Sequence, residues 1–302
     1  MSGEARSGRR WPGLKPVDRM VLAFLAFLAA LALARYPRPL PILGGLGALA
    51  LVLLGASSLR GRFAVARLVH DFYPLPAAIA IFNLAGPLIG AANPARWDAT
   101  FAAFDQRFLG ALVAAWRSAL GRPAWLTDLA SLAYFTYYAV PLAMAVALHL
   151  KGRRAEFDAA LFGFVATLLV SYLGYFLFPT TGPRVPRAEE AEVLGGGVIS
   201  AAVRSFVHFA EVNQLDAFPS GHTALSLVFL CYGWRLFPRW RAPLLAATVG
   251  IIFSTVYLSW HYAVDLVAGA IQALSMAALV PALRRFFGGR PHPAAAADPA
   301  VS

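Results

Sequence analysis

Residues 218–224 read Phe-Pro-Ser-Gly-His-Thr-Ala and combine a break in the chain with a histidine. Proline and Gly221 interrupt the loop where an apolar helix is predicted to begin. The N–H groups of Ser220 to Thr223 therefore lie at a helix N-terminus, where partial positive charge and free donors suit a phosphate. The Ser220 hydroxyl adds a donor, and His222 can act there as an acid or a base. The alternative interpretation is a plain helix cap beside an interfacial histidine.

A second histidine is followed by a carboxylate at helical spacing. His261 and Asp265 are four residues apart, so on a helix they share one face. The carboxylate can accept a proton from one ring nitrogen, which leaves the other nitrogen free as a nucleophile or base. One alternative is a structural His–Asp hydrogen bond between helices. Another is a metal pair, but the sequence shows no third and fourth ligands in a fixed pattern.

An arginine is the third candidate. Arg184, with Arg187 as its alternate, follows Thr-Thr-Gly-Pro at residues 180–183, where an apolar block ends. A planar guanidinium suits bidentate binding of phosphate. The alternative is an arginine solvated at the membrane interface.

These candidates together fit phosphoryl transfer through a covalent phosphohistidine. His261 would attack phosphorus, oriented by Asp265, while Arg184 and the amides of residues 220–223 hold the phosphate oxygens. His222 would protonate the leaving alcohol and then activate the accepting one.

The elements that position these residues are predicted to be membrane helices. Of the 302 residues 59% are hydrophobic and 14% are charged, and the mean hydropathy is +0.64. The apolar residues come in blocks of about 20, enough to cross the hydrocarbon core. The net charge of +11 falls mostly in loops between these blocks, which argues against nucleic-acid binding. Cys231 is the sole cysteine, so no internal disulfide is possible.

The fold class is therefore all-α, a polytopic membrane helix bundle of about eight transmembrane helices. The basic start and first apolar block suggest a retained helix rather than a cleaved signal peptide. The eight predicted spans are 18–35, 39–58, 72–93, 125–150, 156–178, 222–237, 242–260 and 262–286.

The distribution of Lys and Arg predicts the orientation of these spans. Most basic residues lie on one side of the predicted topology, together with both termini, and this side is expected to be cytoplasmic. The three candidate clusters lie on the other side, which is periplasmic or extracytoplasmic. Two longer segments on that side are predicted to contain amphipathic helices, at residues 101–120 and 198–211.

Other polar and aromatic residues carry weaker predictions. His70 and Asp71 are placed at the opposite end from the candidate clusters, and His208 on the outer surface. Asp105 is expected on the polar face of the first amphipathic helix. The aromatic run at 134–138 is assigned to packing or to the interfacial belt.

The candidate motifs resemble those of the type 2 phosphatidic acid phosphatase superfamily. Its second motif, Pro-Ser-Gly-His, is matched at residues 219–222. Its third, Ser-Arg-x5-His-x3-Asp, is matched by Ser254, His261 and Asp265, with Thr255 in place of the arginine.

The first motif of that superfamily, Lys-x6-Arg-Pro, is not present as such, although Pro183 and Arg184 lie in roughly the expected place. Residues 254–267 are similar to fungal inositol phosphorylceramide synthase and its bacterial relatives, which also lack the third-motif arginine. The resemblance extends from about residue 72 to residue 286.

The resemblance implies a metal-independent enzyme without a cofactor, acting on lipids from the outer face of the membrane. It implies a catalytic membrane domain at residues 72–288 with a six-helix core. Residues 1–71 would add a basic N-terminus and two helices, and residues 289–302 would form a disordered tail.

Three functions remain open at this point. The leading hypothesis is a phosphotransferase that moves a phospho-headgroup, such as phosphoinositol, from a phospholipid donor to a lipid acceptor such as ceramide or diacylglycerol. The second is a phosphatase acting on phosphatidic acid or polyprenyl pyrophosphate. The third is a non-enzymatic membrane transporter or scaffold. The oligomeric state is not predicted.

Overall fold

The computed structural model describes residues 13–185 and 189–288. The predicted tail at 289–302 and the alternate Arg187 lie outside these ranges. Within them the chain is helical and contains no β-strand. The helices are α1 (Pro16–Arg35), α2 (Leu40–Leu59), α3 (Ala64–Phe72), α4 (Pro74–Ala92), α5 (Asp98–Phe108), α6 (Gly110–Leu120), α7 (Ala124–Leu150), α8 (Arg154–Leu177), α9 (Glu190–Leu194), α10 (Val198–Ala210), α11 (Gly221–Leu236), α12 (Arg241–Tyr257) and α13 (Ala263–Phe286).

Seven of the described helices are long and apolar enough to cross a membrane, judged by length and composition. They are α1, α2, α4, α7, α8, α13, and α12 extended by the 3-10 turn Pro238–Trp240. The sixth predicted span, 222–237, corresponds to α11, which has 16 residues and is not among these seven. At 1.5 Å per residue it is about 24 Å long, shorter than a hydrocarbon core of about 30 Å. The chain is thus an all-α multi-pass helix bundle.

The centre of the bundle is α8. Almost every side chain from Phe157 to Leu169 is buried, whereas most other helices expose leucine and valine on one side. Helices α4, α7, α11 and α13 pack around α8, and α12 packs against α7 and α11. Helix α1 lies against α4 and α8, and α2 lies against α1.

Shorter helices differ more from the sequence prediction. The amphipathic helix expected at 101–120 is two helices, because the chain breaks between α5 and α6 at Leu109 and Gly110. The second amphipathic helix, predicted at 198–211, is α10, which ends one residue earlier at Ala210. Helix α3 lies almost entirely between the predicted spans 39–58 and 72–93, where no helix was predicted. One of its faces is apolar, and it carries His70 and Asp71 into the bundle.

Candidate active site

The structure brings the two motif histidines and the aspartate together. His222 is the second residue of α11, His261 lies in the turn between α12 and α13, and Asp265 is in the first turn of α13. The Nε2 atom of His261 is 3.4 Å from Nδ1 of His222, and its Nδ1 atom is 3.3 Å from Oδ2 of Asp265. All three side chains are buried. One ring nitrogen of His261 therefore faces a carboxylate and the other faces a second imidazole.

A tight turn delivers His261 to this position. After α12 the chain enters the left-handed region at Ser259, where φ is 61°. The N–H groups of Trp260 and His261 both donate to the Thr255 carbonyl oxygen. Arg117 of α6 donates to the Val256 carbonyl oxygen at 2.6 Å. A non-glycine residue at positive φ costs about 1–2 kcal/mol, and such strain is concentrated at functional sites.

The start of α13 is held by carboxylates. Asp265 Oδ2 accepts the Tyr262 N–H at 2.9 Å. Asp105 of α5 accepts the N–H groups of Ala263 and Val264 at 2.9 and 2.8 Å. The prediction that Asp105 lies on the polar face of an interfacial helix is therefore corrected, because its side chain caps another helix. Such contacts satisfy N–H groups that have no partner within the helix. The negative carboxylates are also stabilised by the positive end of the helix dipole.

Two of the four backbone N–H groups at residues 220–223 already donate hydrogen bonds within the protein. The Ser220 N–H donates to the Asp265 carbonyl oxygen at 3.0 Å, and the Thr223 N–H donates to Ser220 Oγ at 3.2 Å. This corrects the expectation that all four amides of residues 220–223 face a phosphate. The N–H groups of Gly221 and His222 are the other two of that turn, and neither can bond within the helix.

Helices α11 and α13 meet closely at this loop. A Cβ atom on Gly269 of α13 would lie 2.5 Å from the Ser220 carbonyl oxygen and 3.0 Å from the Thr223 side chain. Only a glycine therefore allows α13 to approach the loop so closely. This approach sets the distance between the His222 and Asp265 segments.

Arg184 lies beside this cluster and is already paired. It donates to Asp216 Oδ1 at 2.6 Å, and its guanidinium lies 5.2 Å from the Trp260 ring centroid. Among the described residues, its buried Nε atom has no hydrogen-bond partner. Burial raises the pKa of Asp216 above its ordinary value, although Arg184 opposes the rise. The arginine is thus next to the residue that precedes His261, with donor capacity left.

Glu211 was missed by the sequence reasoning. Its carboxylate accepts hydrogen bonds from the Tyr138 hydroxyl and, at 3.4 Å, from the Tyr134 hydroxyl of α7. Its Oε1 atom is 3.8 Å from Nε2 of His222. Burial, followed by the nearby Asp216, raises its pKa to about 7. The available signal was an acidic residue directly after the amphipathic α10.

The aromatic run at 134–138 also forms part of the site. The ring centroids of Tyr134 and Tyr137 are 4.6 and 4.1 Å from that of His222. The prediction that this run serves packing or the interfacial belt is therefore incomplete, because two of its rings enclose the histidine. His208, expected on the outer surface, pairs with Glu190 at 2.9 Å.

Two cavities meet at Glu211. The larger, of about 630 Å³, extends through the bundle between α4, α7 and α8 and is lined mainly by aliphatic and aromatic side chains. Its polar lining at one end is His222, Glu211 and Asp216. The smaller, of about 160 Å³, is lined by polar groups that include Thr181, Arg184 and Gln214. The first has the volume and character of a site for an apolar ligand.

Within the described residues, no group of three or more His, Cys, Asp or Glu side chains is arranged to hold a metal ion.

Comparison with known proteins places the chain in a family. Residues 99–279, more than half of the 302, match the family model described as PAP2 superfamily. A PA-phosphatase related-family protein of Dictyostelium discoideum is 28% identical over 108 residues, which is 34% of this chain. The match covers only 20% of that relative's length. No solved structure matches the chain significantly. The matched region contains both histidines, Asp265 and Arg184, and the chain belongs to the PAP2 superfamily.

Proposed function

We propose that this protein is a lipid phosphotransferase that moves a phospho-headgroup between lipids through a phosphohistidine on His261. Membership of the PAP2 superfamily supports an enzyme of the lipid phosphatase and phosphotransferase class. The observation that carries the proposal is the row of three side chains His222, His261 and Asp265. His261 is 3.4 Å from His222 and 3.3 Å from Asp265, and His222 lines the large apolar cavity.

The geometry supports a division of roles between the two histidines. Asp265 holds the proton on Nδ1 of His261, which leaves Nε2 with a lone pair to attack phosphorus. The bond from phosphorus to the leaving oxygen breaks, and the oxygen takes a proton from His222, which faces the same Nε2 atom. In the second step His222 removes a proton from the acceptor, whose oxygen then displaces His261 from phosphorus.

Phosphate binding is assigned to a small set of donors. Arg184 keeps its Nε atom without a partner among the described residues, and it can contact phosphate while Asp216 holds its other edge. The N–H groups of Gly221 and His222 and the Ser220 hydroxyl complete the set. Because these donors are fixed by the helix start and by buried pairing, they need little reorganisation as charge moves.

The two cavities favour a transferase over a hydrolase. The apolar cavity leads directly to His222, so the chain of a lipid alcohol can lie in it with its hydroxyl at the histidine. The polar cavity beside Arg184 can receive the headgroup of the donor. Phosphoinositol as headgroup and ceramide or diacylglycerol as acceptor remain the leading pair. A phosphatase would use the same residues with water, and the name of the Dictyostelium relative favours this second candidate.

The orientation and domain division are also proposed. Lys15, Arg60 and Arg154 gather around His70 and Asp71, at the end of α1 and α8 away from Arg184. We place this basic end in the cytoplasm and the candidate active site on the periplasmic or extracytoplasmic side of a cell membrane. Residues 72–288 would form the catalytic unit, with residues 1–71 as an addition.

The test uses the full chain purified in detergent, with labelled phosphatidylinositol and a chelator, with and without ceramide. The proposal expects a new phosphoinositol lipid that requires ceramide and is absent with His261→Ala. Water-soluble inositol phosphate or inorganic phosphate released regardless of acceptor would favour the phosphatase. An undiminished rate in His261→Ala would exclude the phosphohistidine.

A further inference from the structure

The second histidine has a carboxylate of its own. Glu211 Oε1 is 3.8 Å from Nε2 of His222, on the side of the ring opposite to His261. Among the described residues, this buried Nε2 atom has no hydrogen-bond partner. The ring therefore presents Nδ1 to the proposed nucleophile and Nε2 to the glutamate. A separation of 3.8 Å is longer than a hydrogen bond, as is common for catalytic contacts before substrate binds.

Glu211 is held in place from several directions. The hydroxyls of Tyr134 and Tyr138 both donate to it, and it follows directly on the C-terminus of α10. It lies at the junction of the apolar and polar cavities. Burying a carboxyl costs free energy even when tyrosines donate hydrogen bonds to it, and buried carboxyls with a shifted pKa are concentrated at functional sites.

We propose that Glu211 is the positioning and proton-sharing partner of His222, so that the two side chains act together as one general acid and base. The inference rests on the proposed function and deepens it, because it names the source of the proton for the leaving lipid alcohol. It assigns each histidine its own carboxylate: Asp265 serves the nucleophile His261, and Glu211 serves the acid His222.

The protons balance as follows. Before reaction the carboxyl of Glu211 is protonated and faces Nε2, while Nδ1 of His222 carries the ring proton. When the phosphorus–oxygen bond breaks, the leaving oxygen keeps the electron pair and takes the Nδ1 proton. The Glu211 proton moves to Nε2, so the ring stays neutral and Glu211 becomes a carboxylate. The acceptor alcohol reverses both transfers in the second step.

The surroundings of Glu211 determine when it holds this proton. Its pKa is raised to about 7 by burial and then by Asp216, while Tyr138, Arg184 and His261 oppose the rise. The other titratable or charged groups that face it are four tyrosines, His222 and, across the polar cavity, Glu190 and His208. The tyrosines are Tyr134, Tyr137, Tyr172 and Tyr175. The pair therefore carries its extra proton below about pH 7 and loses it above, so phosphoenzyme formation should slow as pH rises through 7.

The test compares leaving groups. The probes are dioctanoyl phosphatidylinositol and dioctanoyl phosphatidic acid, which lose an alkoxide that needs a proton, and p-nitrophenyl phosphate, whose phenolate needs none. Glu211→Gln keeps the shape and a donor but cannot release a proton. With the lipid probes we expect phosphoenzyme formation to fall about 10- to 100-fold, and with p-nitrophenyl phosphate less than about threefold. The decline above pH 7 should disappear, and His222→Ala should show the same selectivity for the leaving group.

A second variant covers the case in which Glu211→Gln fails to fold. Tyr138→Phe removes a hydrogen bond that lowers the pKa of Glu211. The Glu211 pKa should rise, and the decline of the rate should move to higher pH. Equal losses with all probes in Glu211→Gln, or an unmoved pH profile in Tyr138→Phe, would reduce Glu211 to a structural role. A wild-type protein that cleaves none of the probes would instead overturn the proposed function.

Discussion

Two of the buried histidine–carboxylate pairs in the described part of the chain lie at opposite ends of the bundle, and they differ in how completely they are hydrogen-bonded. His70 of α3 contacts Asp18 of α1 at 2.9 Å, and both side chains are fully buried. Asp18 also accepts from the Tyr73 hydroxyl at 2.8 Å and from the Lys15 N–H at 2.6 Å. The other ring nitrogen of His70 faces Arg60 at 3.5 Å.

The pair at the candidate active site is looser. His261 and Asp265 are 3.3 Å apart, and among the described residues Asp265 Oδ1 and the neighbouring His222 Nε2 have no hydrogen-bond partner. Buried polar groups are normally satisfied. Of the two left open here, His222 lines the apolar cavity in which we propose that the lipid binds. The saturated pair links α1, α3 and the start of α4, and the open pair is the one to which we assign the proposed chemistry. A histidine beside a carboxylate is therefore not enough to predict a catalytic role.

The largest expected effect is a difference in enzymatic activity between variants of His261, in the open pair, and of His70, in the saturated pair. His261→Ala removes the proposed nucleophile, and the rate of lipid cleavage should fall by at least ~10,000-fold. The matched variant His70→Ala should leave the rate of the folded protein within about threefold of wild type. The measurement is the initial rate in detergent, normalised to folded protein by size-exclusion chromatography. Comparable losses in the two variants would remove the distinction drawn here.

The next effect separates the pairs by stability. Asp18→Asn leaves a fully buried site with a weaker acceptor for His70, Tyr73 and the Lys15 N–H, and should reduce the free energy of unfolding by about 3 kcal/mol. The control is Asp158→Asn, whose side chain is 37% exposed and pairs with Lys15 at 3.0 Å; it should cost no more than about 1 kcal/mol. Thermal unfolding in detergent measures both. If both substitutions lower the midpoint of thermal unfolding equally, the saturated pair does not stabilise the bundle more than an exposed ion pair does.

Much of the fold was predictable from the sequence. The eight predicted spans differ from the corresponding helices by a few residues at each end, because long apolar blocks have few alternatives in a membrane. The short helices were harder. Helix α3 has nine residues between two spans, and its amphipathic face is understandable only with α2 and α4 beside it. The break at Leu109 likewise depends on α5 reaching the start of α13.

The candidate site was predictable where its residues are close in sequence or part of a motif. His261 and Asp265 are four residues apart, and His222 stands in a recognisable helix start. The partners brought in from a distance were not predictable. Glu211 reaches Tyr138 across 73 residues, and Asp105 reaches Ala263 across 158. Only the packing of α7 and α10, and of α5 and α13, brings these pairs together.

The smallest expected effect concerns the support of the open pair. Asp105→Ala removes the acceptor for the N–H groups of Ala263 and Val264, so the start of α13 should lose about 1–2 kcal/mol of local stability. Because Asp265 is in that turn, lipid cleavage should fall about five- to tenfold with the midpoint of unfolding little changed. Asp105→Asn keeps one acceptor and should fall between this variant and wild type. The measurement is the initial rate alongside hydrogen exchange of residues 262–266. Faster exchange without any loss of rate would mean that the open pair holds its geometry without the cap from Asp105.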